Sequence, residues 1–359
     1  MSECAVVGPL RIAVIASARY PIVQPFPGGM EAHTWALVTE LRRRGHFVEV
    51  YAGPGSDPLL RVRELGRPLR LSVAAVTDPS MTTLRWAEEH HAYLSLMLRL
   101  GETPARFDVV HNNSLHYLPV AMAPSLSSPL VTTLHTPPTP WLESAIQTGG
   151  ADSVTFAAVS EHTAASWEPL VRKVRVVPNG VDAERWPYGP GGDDLAWAGR
   201  LVPEKGAPMA IHAARMAGRT LRVAGPVSDR EYFDAEIRPL LGGEITYVGH
   251  LDDTELADLF GSSAATLVTP CWDEPYGLVV AQSLACGTPI CGFARGALPD
   301  IVTPACGRLV PPDDVTALAA VIDETTGLSR RDAREHAVAT CSQTAMVDGY
   351  ERLYAELVA

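Results

Sequence analysis

Two stretches of this chain put charged side chains beside backbone turns that add polarity of their own. In WAGRLVPEKG (197–206) a strand-like run ends in Gly199, Arg200 and Lys205 flank the turn, and a helical pattern begins near Gly206. Free N–H groups at a helix start, joined by two fixed cations, make a site for a diphosphate. A βα loop with two solvated charges is the plainer account of this stretch alone. Lysine usage favours the first account. Of 29 basic residues only Lys173 and Lys205 are lysines, and a compact ammonium is a different tool from a planar guanidinium. In PCWDEPYGLVVAQSLACGTPI (270–290), Asp273 and Glu274 follow an apolar run and Gly277 opens a helix. The amides of Gly277, Leu278 and Val279 form a second anion site, with Gln282 about one and a half turns further in. Taken alone, Glu274 could equally be a capping carboxylate.

The elements that must carry these groups alternate. The run 10–16 is continuously apolar and bounded by turn residues, as in a buried parallel strand. A Pro/Gly-rich loop follows, then a helical pattern in which Met30, Trp35, Leu37, Val38 and Leu41 recur before Gly45. Strands are expected at 47–53, 107–111, 129–135, 155–160 and 174–179, with helices notably at 80–101 and 160–169. The segment 181–194, rich in Pro, Gly and charge, reads as a linker. Alternation then restarts, with strands at 195–199, 221–225, 244–249, 265–270, 288–293 and 307–311. Helices fall near 206–217, 229–240, 253–262, 277–286, 314–325, 330–341 and 346–358. This is α/β architecture with two doubly wound Rossmann-like domains. The boundaries are 1–180, a linker at 181–194, and 195–342. In such sheets ligands sit beyond the carboxyl ends of the strands. Gly28-Gly29, His111 to Asn113, His135, Asn179-Gly180, Gly199-Arg200 and Asp273-Glu274 all fall there or in the following loop.

The 359 residues suit two such domains, and 47% hydrophobic with 19% charged residues is normal for a soluble globular chain. No run is long enough for a transmembrane helix, and the N-terminus lacks the features of a secretory signal. Six cysteines without framework spacing or a C-x-x-C read as buried reduced thiols: Cys4, Cys271, Cys286, Cys291, Cys306 and Cys341. A cytoplasmic enzyme is the expectation. The net charge of −12 falls wholly after residue 178, the part before it being neutral, and a pI near 5.4 argues against nucleic acid as a partner. Arginine clusters at 42–44 and at Arg61, Arg63, Arg67 and Arg70 read as solvated faces, or as a surface for an anionic acceptor or a lipid head group. Peripheral membrane contact is possible on this reading but not indicated.

The run from Glu274 through Gln282, followed by LACGTP, strongly resembles the signature of retaining glycosyltransferases of family 4, which have the GT-B fold. The resemblance extends in order through PGGMEAH (27–33), TLHTPP (133–138), SEHTAASW (160–167), VPNGVD (177–182), GRLVPEKG (199–206), VGHLDDTEL (248–256) and ARGALPDIV (294–302). It implies two facing Rossmann-like domains with a C-terminal helix, 343–359, crossing back to the first. It implies hexosyl transfer with retention from a nucleotide diphosphate sugar, a uridine diphosphate hexose being common in the family. By the same resemblance Arg200 and Lys205 hold the donor diphosphate, Glu274 orients hydroxyls of the transferred sugar, and His135 reaches that sugar from the first domain. Gly28 and Gly29 close over the phosphates, and the Gly296 loop lines the donor sugar. Tyr247, Val248, Gly249, His250 and Leu251 form the strand end that meets the base. The family usually has a second glutamate eight residues after the first. Gln282 stands there, so one acceptor replaces two toward the ribose diol.

The chemistry fits these residues. Breaking a sugar–phosphate bond builds negative charge on the departing diphosphate. There is no Asp-x-Asp for a metal, so no metal ion and no cofactor are expected. Arg200, Lys205 and the helix-start amides supply that charge instead. His111, Asn113, His116 and Trp141 are candidates for the acceptor, although ordered loop packing explains them as well. His90 and His91, in a helical pattern, read as surface or core. Other chemistries are weaker. A nucleotide-sugar epimerase needs an acid/base pair that is not visible, and a phosphorylase needs a cofactor lysine. A dehydrogenase needs a G-x-G-x-x-G after the first strand. A non-catalytic sugar-binding protein need not keep Arg200, Lys205 and Glu274 together. The acceptor, a small molecule or an envelope precursor, is left open.

Overall fold

The computed structural model describes residues 8–66, 68–80, 83–103 and 106–359. Cys4 and Arg67 lie outside the described residues. The apolar runs become strands of two parallel sheets. The first holds β1 (Arg11–Ile15), β2 (Phe47–Ala52), β3 (Arg63–Glu64), β4 (Val109–Asn112), β5 (Leu130–Leu134), β6 (Val154–Ala158) and β7 (Val174–Val176). Its order is β3-β2-β1-β4-β5-β6-β7. The second holds β8 (Leu195–Ala198), β9 (Leu221–Ala224), β10 (Ile245–Gly249), β11 (Ala265–Val268), β12 (Ile290–Phe293) and β13 (Gly307–Val310), in the order β10-β9-β8-β11-β12-β13. The pairings are parallel, with Ile12 between Val48 and Val109 in the first sheet. Helices cover both faces, which is why strands such as β5 and β11 are buried along their whole length.

Both sheets reverse direction at an equivalent place, between β1 and β4 and between β8 and β11. Crevices at such switch points are where open α/β sheets bind ligands. The two crevices face one another across one cavity of about 710 Å³.

The segment between the sheets is tied down rather than a loose tether. Trp186 is buried against Phe260, and Gly189 lies against Gly261 so closely that a Cβ would meet its Cα at 2.2 Å. The C-terminal helix, Gln343–Val358, packs on the first domain. Its Met346, Val347, Tyr350, Leu353 and Tyr354 share a core with Ile12, Val14, Leu37 and Val109. Arg44, at the end of the helix Gly29–Arg43, reaches Asp348 and Glu351 at 2.6 Å each. The expected helix at 229–240 is irregular: Arg230–Tyr232 is α, Phe233–Ile237 a π turn and Arg238–Leu240 a 3-10 turn. Pro239, which has no N–H to continue the ladder, lies in the last of these. Helices not given from the sequence include Pro140–Gln147 and the short Val73–Val76, Leu118–Ala121 and Leu298–Ile301. Cys286, Cys291, Cys306 and Cys341 are buried free thiols, while Cys271 is partly exposed. No helix among the described residues is long and apolar enough to cross a membrane.

Candidate active site

After β8 the chain turns through Gly199 and Arg200 into a 3-10 turn, Pro203–Lys205, before the helix Ala207–Met216. After β11 it runs through Trp272 and Glu274 to the helix Leu278–Ala285. The two loops meet in the cavity. Lys205 Nζ lies 2.5 Å from Glu274 Oε2, and the Trp272 indole N–H donates to the same oxygen at 3.2 Å. The Lys205 ammonium also sits 5.3 Å from the Trp272 ring centroid. Arg200 is freer: its 3.4 Å contact with Glu204 joins side chains 39% and 38% exposed, a pair worth little. Both cations line the cavity, Lys205 held by Glu274 and Arg200 only loosely paired.

Glycine chemistry fixes Glu274. Gly277 has φ +85, a left-handed conformation that a side chain rarely adopts, and it caps the helix Leu278–Ala285 without a side-chain bond. The first amides of that helix are thus left to the cavity, where Gly277, Leu278, Val279 and Gln282 all appear. Gly296 does not line the cavity, contrary to expectation. It lies behind Glu274, and a Cβ there would meet Glu274 N and O at 2.3 Å. Its part is to let the two backbones approach.

At the end of β10 the side chains divide. His250 and Leu251 line the cavity, while Tyr247, Val248 and Gly249 sit behind it. The Tyr247 hydroxyl turns back to donate to Gly225 O at 2.8 Å, its ring packs 5.3 Å from Phe233, and Val248 joins the core. His250 Nε2 meets Phe26 O at 3.1 Å, joining the two domains.

The first domain supplies the facing wall. Gly28 and Gly29 open the helix Gly29–Arg43 with no capping side chain, and a Cβ on Gly29 would meet Leu278 Cδ1 of the other domain at 3.2 Å. Glu31, in the first turn, lines the cavity although only 4% exposed, and its Oε1 has no hydrogen-bond partner. Burial pushes its carboxyl up to about 7, against the opposing pull of its own backbone N–H and of Arg200. The sequence shows Glu31 only as an ordinary first-turn acid; its burial depends on residues far along the chain.

His135 lines the cavity, donates from Nε2 to Asn113 Oδ1 at 2.9 Å, and meets the edge of His33 at 4.9 Å. Burial, together with His33 and His111, holds it well below the usual histidine range, so it is neutral. His111 and Asn113 do not face the cavity, which corrects their expected place at the acceptor. His111 lies within β4, fully buried, bonded to Tyr354 Oη at 2.6 Å and Thr133 Oγ1 at 2.7 Å. The C-terminal helix covers it, and burial lowers it to about 3. Asn113 is likewise buried and acts on the cavity through His135.

His116 and Trp141 do line the cavity, joined by Trp86, Tyr93 and Tyr117, which the sequence reading passed over. Trp86, His90 and Tyr93 recur at i, i+4 and i+7 within Leu84–Glu102. That spacing puts three rings on one helical face, and it was the available signal. Among the described residues no cluster of three or more His, Cys, Asp or Glu side chains suits a metal.

The chain matches two family descriptions in series, "Glycosyltransferase Family 4" over residues 27–185 and "Glycosyl transferases group 1" over residues 187–337. It is 29% identical to a glycogen synthase of Mycobacterium tuberculosis, an alignment covering 90% of this chain and 88% of that one. It is 26% identical to a phosphatidyl-myo-inositol mannosyltransferase of Mycolicibacterium smegmatis, covering 87% and 84%. Among solved structures, Anabaena HepE in complex with UDP and glucose superposes with a TM-score of 0.76 at 16% identity, covering 97% and 100%. A glycosyltransferase of avilamycin A biosynthesis superposes with a TM-score of 0.69 at 23% identity, covering 98% of each. With both halves matched in order and both sheets wound alike, the chain belongs to the family 4 type of glycosyltransferases with the GT-B fold.

Proposed function

We propose that this enzyme transfers a hexosyl group from a nucleotide diphosphate sugar, a uridine diphosphate hexose by preference, with retention of configuration and without a metal ion. The observation that carries the reading is the meeting of Lys205, Arg200 and Glu274 beside the uncapped start of Leu278–Ala285. The relatives support it: a glycogen synthase and a mannosyltransferase in sequence, and a structural neighbour holding UDP and glucose.

In this reading the diphosphate takes the loosely paired Arg200 and draws Lys205 from Glu274. The carboxylate is then free to accept hydrogen bonds from sugar hydroxyls. The bond from the sugar's anomeric carbon to the phosphate oxygen breaks, and the electron pair leaves with the diphosphate. The acceptor oxygen bonds to the same carbon from the same face, and its proton passes to the departing phosphate. No separate base is required. Once the diphosphate is seated, Arg200, Lys205 and the helix amides stand around it before the bond breaks, which is what makes such charges effective. Neutral His135 meets the sugar from the first domain as a hydrogen-bonding group rather than as an acid. Gln282 and the His250–Leu251 turn serve the nucleoside.

The test is hydrolysis of a panel of nucleotide sugars by purified protein, with and without chelator, then determination of the product anomer by NMR once an acceptor is found. Donor hydrolysis that survives chelator and a product with the donor's anomeric configuration are expected. Loss of activity with chelator and its return with manganese would overturn metal independence. An inverted product would overturn retention.

A further inference from the structure

The cavity wall on the first domain is paved with rings. The Trp86 indole stacks on His90 at 5.0 Å and 11°, and the Trp141 indole stacks on Tyr117 at 5.4 Å and 19°. The two indoles are 6.4 Å apart and tilted by 41°. Behind them His116 is sandwiched between Tyr93 at 4.3 Å and Tyr117 at 4.9 Å. Tyr93 is anchored in turn, its hydroxyl donating to Ala16 O and accepting from Ala18 N at 3.0 Å each. The stack is locked from behind, yet Trp141 remains 52% exposed and Trp86 36% exposed. Core packing does not account for two large ring faces held open to a concave cavity.

The charges on this wall offset each other. Arg19 places its Nε 3.0 and 2.9 Å from both oxygens of Glu89. These are the charged side chains on this part of the cavity, among the described residues. His116 adds no cation, since burial, with His90 and Arg19 nearby, pushes it down to about 4. An anionic group drawn to Arg19 would also lie close to the Glu89 carboxylate.

We propose that this wall seats a neutral saccharide acceptor, whose terminal ring lays its C–H face on Trp141 and Trp86 while its hydroxyl rim reaches Glu89. The proposal rests on the glycosyltransferase reading above and names its acceptor class. Indole faces carry partial negative charge and attract the slightly positive C–H groups of a pyranose. The polar side chains interleaved with the rings, Glu89, His116 and Thr139, suit a ligand with hydroxyls around its edge rather than an unbroken apolar one.

The experiment uses the full chain with a donor that it hydrolyses, and follows nucleoside diphosphate release. The acceptors are neutral mono- and oligosaccharides of gluco, galacto and manno configuration, with myo-inositol 1-phosphate as the anionic probe. A neutral saccharide is expected to accelerate release and to quench tryptophan fluorescence. Trp141→Ala and Trp86→Ala are each expected to raise acceptor KM about tenfold more than donor KM, the scale of one lost ring contact. Trp141→Phe should recover most of the loss. Donor hydrolysis that no neutral saccharide accelerates, or that only the inositol phosphate accelerates, overturns this proposal alone. So does an unchanged acceptor KM in Trp141→Ala. Absence of any donor hydrolysis would instead strike the glycosyltransferase reading.

Discussion

At the carboxyl ends of β8 and β11 the second domain presents Arg200, Lys205 and Glu274, and the charged groups there are arranged to exchange partners. At the equivalent ends of β1, β4 and β5 the first domain presents Glu31, Asn113 and His135, and burial works there against charge. The same strand order thus carries ionic chemistry on one wall and neutral hydrogen-bonding and ring chemistry on the other. A shared topology sets where ligands go, but what each wall can bind depends on what covers it. The first domain's strands are roofed by a helix from the far end of the chain, whose Tyr350 and Tyr354 seal His111 and Thr133 beneath it. The second domain's loops lie open to the cavity.

The largest expected effect comes from taking away that roof. Five buried side chains of Gln343–Val358 contribute on the order of 10 kcal/mol of apolar burial, comparable with the whole net stability of a domain. Deleting 343–359 should therefore unfold the first domain, read as loss of the melting transition together with turnover. A truncated protein with unchanged melting would show that the two walls do not differ in this way.

Next is Lys205→Ala, which removes the cation proposed to hold the diphosphate and leaves Glu274 without its 2.5 Å partner. A fall in kcat of roughly 10² to 10³ is expected, the range for one such preorganised group. Lys205→Arg should restore only part, since a planar fork does not replace a point charge. A greater loss from His135→Ala than from Lys205→Ala would move the decisive electrostatics to the other wall.

Much of this contrast was legible in the sequence. Apolar runs and turn residues located the strands, and the spacing of Arg200, Lys205, Glu274 and Gly277 is local, so their convergence followed from the fold. What escaped depends on distant segments. His111 follows two valines and precedes two asparagines, which reads as a loop at a strand end, but its surroundings are set by Tyr354, 243 residues away. The Tyr247 hydroxyl bonds Gly225 O, a partner 22 residues away that the strand pattern does not reveal. The ring wall needed three pieces of chain, around Trp86, His116 and Trp141, to be seen together.

Glu31 tests the neutral character of the first wall through pH. Burial pushes its carboxyl from the ordinary 4.5 up to about 7, so between these values the native state holds a proton that the unfolded chain has released. Stability contributed by the neutral acid is therefore complete below about 4.5 and is lost as pH rises through 7. Over that window the loss is roughly 3 kcal/mol. Glu31→Gln keeps the neutral form at every pH. Thermal melting of the two proteins should diverge as pH rises from about 4.5 to 7, with the variant the more stable, and the gap should stay constant above 7. Parallel melting curves across that range would mean that Glu31 is not buried as a neutral acid.

The smallest effect belongs to Gln282, on the charged wall but placed away from the reacting bond. It lines the cavity on Leu278–Ala285, one and a half turns beyond the amides assigned to the phosphate. If it meets the ribose, its partner hydroxyls do not change charge as the sugar–phosphate bond breaks. The contact is then equal in ground and transition states, and its loss raises KM without lowering kcat. Gln282→Glu supplies a second acceptor for the diol and should tighten the donor by about 1 kcal/mol, the scale of one net hydrogen bond. Gln282→Ala should loosen it by a similar amount. Glu274→Ala, in contrast, should lower kcat, because it orients the sugar at the reacting centre. Kinetic series with donor varied separate the two residues. A Gln282→Ala enzyme with unchanged donor KM and a collapsed kcat would refute the ribose contact and place a catalytic amide on the helix that starts at Gly277.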